Sequence, residues 1–265
     1  PDSYLVVVNA ANIEKDLHWI KSWCRGDVSV ENRSIETALL AVQGPRSREV
    51  IQALFDIDLG GISYYHFVKF ESPFGPMIVS ETGYTGEEGF ELVASESGVT
   101  RLWRRLFEVG TPMGLRPIGF GARDTLRMEA RFLLYGHDMT DKTTPLEAGL
   151  GWTVGWSKND FMGKRALEAE RKNGIKCKLI GFELEDRGIA REGCPVLSGG
   201  KVIGKVSSGT FSPTLKRSIG LAYVDLPFSE IGKAFDVNIR KNPVRARVVK
   251  TPFYQRKNEV RKECL

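Results

Sequence analysis

Four glutamates, two aromatics and three glycines fall within the eleven residues ETGYTGEEGFE, Glu81 to Glu91. Glycine accepts positive φ, so Gly83, Gly86 and Gly89 let the chain reverse or bulge without strain. The acids need a separate reason. Glu81, Glu87, Glu88 and Glu91 crowd one short segment of a chain whose net charge is +5, and like charges placed together cost free energy unless something satisfies them. Two readings stay open: a solvated turn, or a polar floor for a ligand that donates hydrogen bonds.

A second stretch with chemical potential is GFGARDTLRMEARFLLYGHDM, Gly119 to Met139. On a helix, Arg123 and Arg127 stand four apart and share a face, with Asp124 available to pair with one of them. Such an arginine can tie the helix to the body of its domain through carboxylates. Alternatively Arg123, close to the helix start, presents its fork and nearby backbone donors to a carboxylate or carbonyl of a ligand. Tyr64, Tyr84, Trp152 and Trp156 lie near these polar motifs and offer flat surface to a planar ligand, or simply pack in the core.

Other chemistries lack their signatures. His18, His66 and His137 stand in unrelated contexts, and no nucleophile-elbow or Cys-His pattern accompanies them. Ser198 to Gly200 lacks the strand, helix and spacing of a phosphate loop. Cys24, Cys177, Cys194 and Cys264 are scattered, which suggests neither a zinc site nor a disulfide framework, and reduced thiols in the cytoplasm are expected. No metal is expected. No nucleic-acid-reading motif is present, and no apolar run approaches the roughly 18 residues a membrane span requires. The charge excess near the end, in VRARVVK and YQRKNEVRKE, suits an anionic ligand or acidic partner as well as a solvated tail.

The elements that must position these residues follow from periodicity. Tyr4 to Val8 reads as a buried-type strand, and Asn12 as the cap of a helix whose apolar positions are Ile13, Leu17, Ile20 and Cys24. Thr37 to Val42 is a strand, followed after Gly44 and Pro45 by a helix with Val50, Ile51, Leu54 and Phe55. Tyr64 to Phe70 and Met77 to Ser80 form a hairpin around ESPFGP, and Phe90 to Ala94 is a further strand. Ser95 or Ser97 opens a helix holding Leu102, Trp103, Leu106 and Phe107, and another spans about Gly119 to Ala130. This is an α+β layer. After about Lys172 the pattern turns to short alternating strands, KLIGFEL, CPVLSGGKVIGKVSSGTFSP, SIGLAYV and ARVVKTPF, which predict an all-β barrel or sandwich beyond the charged helix ALEAERKNG.

The motifs VVVNAANIEKDLHWIK, VQGP, SETGYTGEEGFEL, GFGARDTLRMEARFLLYGHDM, TPLEAGLGW, FMGKRAL, SSGTFSPTLKRSIGLAYV and KTPFY occur in the order found in the aminomethyltransferases, the T-proteins of the glycine cleavage system, and the chain resembles that family over essentially its whole length. The resemblance implies ferredoxin-like α+β folate-binding domains, incomplete at the N-terminus, over residues 1–170, and a C-terminal all-β barrel domain over 171–265. It also implies transfer of a one-carbon unit from the aminomethyl-lipoyl arm of H-protein to tetrahydrofolate, without a metal. Carried over residue by residue, the folate-binding set is Glu91, Arg123, Tyr84, Tyr64, Asn9, Trp152 and Arg261. A pterin ring presents N–H donors that a carboxylate such as Glu91 accepts in pairs, while Tyr84 and Tyr64 line or stack on it. The family's catalytic Asp precedes the strand matching Tyr4 to Val8, so no residue here is assigned its role and the chain is expected to be a fragment. Two relatives compete: the folate module of a dimethylglycine or sarcosine dehydrogenase, and a non-enzymatic folate-binding protein of iron–sulfur assembly. The signature of the latter, K-G-C-Y-x-G-Q-E, is matched here only by NDFMGKRALE, which has neither Cys nor Gln.

Overall fold

The computed structural model describes residues 2–256. Two compact units separate, one formed by 1–83 with 87–117, the other by 84–86 with the chain from 118 onward.

In the first unit, helix α1 (Ile13–Trp23) precedes strand β1 (Thr37–Gln43), helix α2 (Ser47–Phe55), strands β2 (Phe67–Ser72), β3 (Gly75–Ser80) and β4 (Gly89–Ser95), and helix α3 (Glu96–Gly110). The strands form one antiparallel sheet in the order β1-β4-β3-β2. Alternation along each strand assigns the faces. Val42, Met77, Val79, Phe90, Leu92 and Ala94 turn inward against Val50 and Ile51 of α2 and Leu102 and Leu106 of α3, each large side chain contributing about 1.5–3 kcal/mol by burial. Glu91 and Val93 therefore stand on the opposite face. Of the two candidate caps for α3, the structure uses Ser95, whose Oγ accepts from the Gly98 N–H at 3.2 Å.

Three expectations for this unit are corrected. Tyr4 to Val8 is not a strand: Tyr4 is 82% exposed, and no described strand supplies the neighbouring hydrogen bonds that an extended segment needs. Asn12 precedes α1 but its side chain makes no capping bond, and α1 buries none of its residues. Strand β2 starts at Phe67 rather than Tyr64, because Tyr64 and Tyr65 form a turn in which Tyr65 has φ +65°.

The second unit contains helices α4 (Phe120–Glu129) and α5 (Lys164–Asn173), then strands β5 (Cys177–Leu184), β6 (Pro195–Ser198), β7 (Lys201–Ser212), β8 (Arg217–Asp225), β9 (Ala234–Ile239) and β10 (Asn242–Val249). The six strands close into a barrel in the order β10-β5-β8-β7-β6-β9. Phe182, Val206, Ala222, Val224, Phe235 and Val237 fill the interior. On the outer surface Leu179, Ile219 and Leu221 cluster with Met128 of α4. The α+β layer followed by a barrel is the class the sequence predicts. Strand β9 is an addition, although its Phe235 and Val237 alternate with Asp236 and Asn238 in the ordinary strand pattern.

Candidate functional site

The glycines and the acids of 81–91 have separate explanations. Gln43, on β1, donates from Nε2 to the carbonyls of Thr82 (3.1 Å) and Phe90 (3.3 Å). A Cβ on Gly83 or Gly89 would lie 2.0 or 2.3 Å from that amide, so these two glycines admit the Gln43 side chain, whereas Gly86 takes φ +77°. Arg48, on α2, binds Glu81 through Nη2 and Glu88 through Nε, both at 2.8 Å, and donates from Nη1 to the Leu59 carbonyl at 2.5 Å. Burial by itself would lower the Arg48 pKa, but its bonds to Glu88 and Glu81 outweigh this and raise it. The segment is half-buried and tied down, which rules against a solvated turn.

Glu91 stands apart from that pairing. It lies on the central strand β4, opposite Ala41 and Ser80, on the face turned away from α2 and α3. One carboxylate oxygen accepts from Thr82 Oγ1, which in turn shares a hydrogen bond with Ser80 Oγ at 2.8 Å. Its other oxygen makes no hydrogen bond among the described residues, leaving an oriented acceptor.

In the second unit the two arginines of α4 take different roles. Arg127 is only 2% exposed and Asp138 is fully buried. Arg127 donates from Nε to Asp124 at 2.8 Å, from Nη1 to Asp138, and from Nη2 to Ser208 of β7 at 3.0 Å. Asp138 also accepts from Ser207 Oγ (2.6 Å) and the Leu134 N–H (3.0 Å). This is the structural tie, and Arg127 rather than Arg123 makes it. Arg123, one turn earlier, is exposed, pairs with no carboxylate among the described residues, and lies with its guanidinium carbon 4.9 Å from the centre of the Tyr84 ring. Tyr84 stacks on Phe132 at 5.7 Å and donates to the Leu133 carbonyl at 2.6 Å.

Burial is the main cause that pushes the Tyr84 hydroxyl up to about 12. A folded-state pKa above the unfolded value near 10 stabilises the protein fully below pH 10, and that stability is lost as pH rises toward 12. An ultraviolet titration should therefore show Tyr84 ionising above the exposed tyrosines, together with Tyr223, whose hydroxyl burial pushes up as well. Tyr84→Phe should remove one of these two late-ionising phenols, leaving Tyr223, and cost about 1 kcal/mol, the worth of one hydrogen bond. A titration curve identical to that of the parent protein would contradict the assignment.

The remaining candidates are more dispersed. Tyr64 sits in the turn before β2, its ring 4.0 Å from that of Tyr65. Asn9 is exposed ahead of a short 3-10 turn, Ala10–Asn12, and Trp152, 76% exposed, lies in another, Gly151–Thr153. Arg261 lies outside the described residues. Sequence reasoning missed Arg48 and Asp138, whose roles depend on partners distant along the chain, and Thr82, whose partners Ser80 and Glu91 are near in sequence but come together only through the β3–β4 pairing. Among the described residues no group of three His, Cys, Asp or Glu is placed to hold a metal, and no helix is long and apolar enough to cross a membrane.

An α+β layer joined to a closed six-stranded barrel is the architecture of two family models, the GCVT N-terminal domain, matching residues 1–158, and the glycine cleavage T-protein C-terminal barrel domain, matching 178–255. The aminomethyltransferase of Desulforamulus reducens is 46% identical over 253 residues, covering 96% of this chain and 70% of that protein. That of Bacillus subtilis is 46% identical over 255 residues with the same coverage. The crystal structure of the glycine cleavage system aminomethyltransferase T from Bartonella henselae superposes with a TM-score of 0.83 at 26% identity, covering 93% of this chain and 67% of that one. The chain belongs to the aminomethyltransferase family, the T-proteins of the glycine cleavage system. Its activity class is that of a transferase, and these relatives do not favour the dehydrogenase-module and iron–sulfur-assembly alternatives.

Proposed function

We propose that the protein binds tetrahydrofolate and transfers to it the one-carbon unit of an aminomethyl group carried on the lipoyl arm of H-protein. The methylene carbon leaves sulfur and nitrogen and joins two folate nitrogens. Their two protons pass to the departing thiol and amine, so the products are methylene-tetrahydrofolate, dihydrolipoyl H-protein and ammonia. The observation that carries this reading is the contrast within α4: Arg127 is held by two carboxylates, while Arg123 one turn away keeps its fork available above an aromatic ring. Arg123 is proposed to donate to the folate and Glu91 to accept from the pterin N–H groups. Tyr84 and Tyr64 are proposed to line the ring, with Asn9, Trp152 and Arg261 as further contacts. Holding the folate nitrogens against the aminomethyl carbon in a water-poor site does the work of orientation, which needs no metal.

The domain division proposed remains 1–170 for folate binding and 171–265 for the barrel, a boundary within α5 (Lys164–Asn173) that falls between the two family-model matches, 1–158 and 178–255. The cytoplasm is the proposed compartment, in keeping with the free thiols of Cys24, Cys177 and Cys194.

Ammonia release from aminomethylated H-protein, measured with and without tetrahydrofolate, tests the reading. Release should depend on both, and folate-independent release at the same rate would remove folate as the acceptor. The net charge of +5 further predicts that docking to an acidic H-protein is steered by charge, so the stopped-flow association rate should fall steeply as ionic strength rises. A rate flat from low to high salt would contradict steering.

A further inference from the structure

The β5–β10 seam of the barrel pairs from Ala246 with Leu184 only as far as Val249 with Gly181. Beyond that pair the two chains part, and residues from both lips line a cleft of about 310 Å³ that lies wholly within the second unit. Lys178 stands on one lip and Lys250 on the other, Arg131 enters from the turn after α4, and the hydroxyl residues Ser229 and Thr251 complete the polar lining. Among the described residues no carboxylate lines the cleft.

Arg131 is the unusual member. Its backbone is left-handed, φ +57°, a conformation uncommon for a side chain of this size. Among the described residues its guanidinium makes one hydrogen bond, from Nη2 to the Ala148 carbonyl at 3.2 Å, and the buried Nε has no partner. Burial lowers its pKa, in contrast to Arg127, whose two carboxylates overcome the same penalty. Asp138 attracts Arg131 electrostatically without a hydrogen bond among the described residues, and a half-buried cation with an unmet donor, sharing its cleft with two ammonium groups, is costly unless an anion completes it.

We propose that this cleft is an oxyanion site, separate from the residues assigned to folate, that takes a small molecule bearing a carboxylate or phosphate group. The two lysines and Arg131 supply the charge and donors, and Ile231 and Val249 on the wall accommodate a short aliphatic body.

Calorimetric titration of the full chain with sodium phosphate, and separately with sodium glutarate, tests the assignment at an ionic strength held constant with sodium chloride. Saturable binding at one site is expected. Lys178→Met and Lys250→Met should each weaken it about two- to fivefold, the range for solvent-exposed charge pairs, and Arg131→Met by about tenfold or more, the range for hydrogen bonds to a charged group. Tighter glutarate assigns a carboxylate ligand and tighter phosphate a phosphorylated one, and either order supports the site. If Arg131→Met does not fold, the two lysine variants carry the test. Failure of both anions to saturate, or unchanged affinity in the Lys178→Met/Lys250→Met double variant, would overturn the proposal.

Discussion

Asp138→Asn should lower the stability of the protein by about 3–5 kcal/mol, the cost of leaving a buried charge without its partner. Asp138 has no exposure, and the atoms it serves are Arg127 Nη1, Ser207 Oγ and the Leu134 N–H. An amide is neutral and presents one acceptor oxygen, so Arg127 would retain only Asp124, which is itself about half exposed, as a charged partner. At about 2–4 °C per kcal/mol for a protein of this size, the melting temperature should fall by on the order of 10 °C. Because the same cluster joins α4 to β7 through Ser207 and Ser208, denaturant unfolding should show the loss as a lower midpoint. A change below about 1 kcal/mol would mean that water or relaxation replaces the pair, and that α4 is held by its apolar contacts alone.

Arg123→Lys should behave in the opposite way. The substitution keeps the charge and loses the planar fork. Arg123 pairs with no carboxylate among the described residues and touches the Tyr84 ring, so melting should be nearly unchanged. Tetrahydrofolate affinity should fall by about 1.5–3 kcal/mol, the range for hydrogen bonds to charged groups. Arg127→Lys, four residues away, should show the reverse, a large loss of stability. Measuring melting and folate affinity on both variants separates a binding arginine from a structural one. A strongly destabilised Arg123→Lys that kept its folate affinity would remove Arg123 from the site.

Strands were legible where one face is buried, because alternation such as Phe90, Leu92 and Ala94 against Glu91 and Val93 records the burial directly. Tyr4 to Val8 was misread for a related reason. Its β-branched run has strand composition, but composition does not supply the neighbour that a strand must pair with. The loop 81–91 was recognisable as an anomaly, yet its resolution was not, since Arg48 lies 33 residues before Glu81 and 40 before Glu88. The shared face of Arg123 and Arg127 followed from helical spacing. Which of them is buried followed from Asp138 and from Ser207 and Ser208 on a strand far along the chain, a fact of tertiary structure. The family resemblance rested on ordered motifs and so nominated Glu91 and Arg123 as folate contacts without needing those partners.

The central claim is that the Glu91 carboxylate, held on the outer face of β4 by Thr82, recognises folate. Calorimetric titration of tetrahydrofolate into the protein and into Glu91→Gln tests it most directly. The account predicts one folate per chain and an affinity lower in the variant by about 1.5–3 kcal/mol, roughly tenfold to more than a hundredfold, with unchanged melting. Equal affinity in two equally folded proteins would contradict it and leave Glu91 a surface carboxylate held by Thr82.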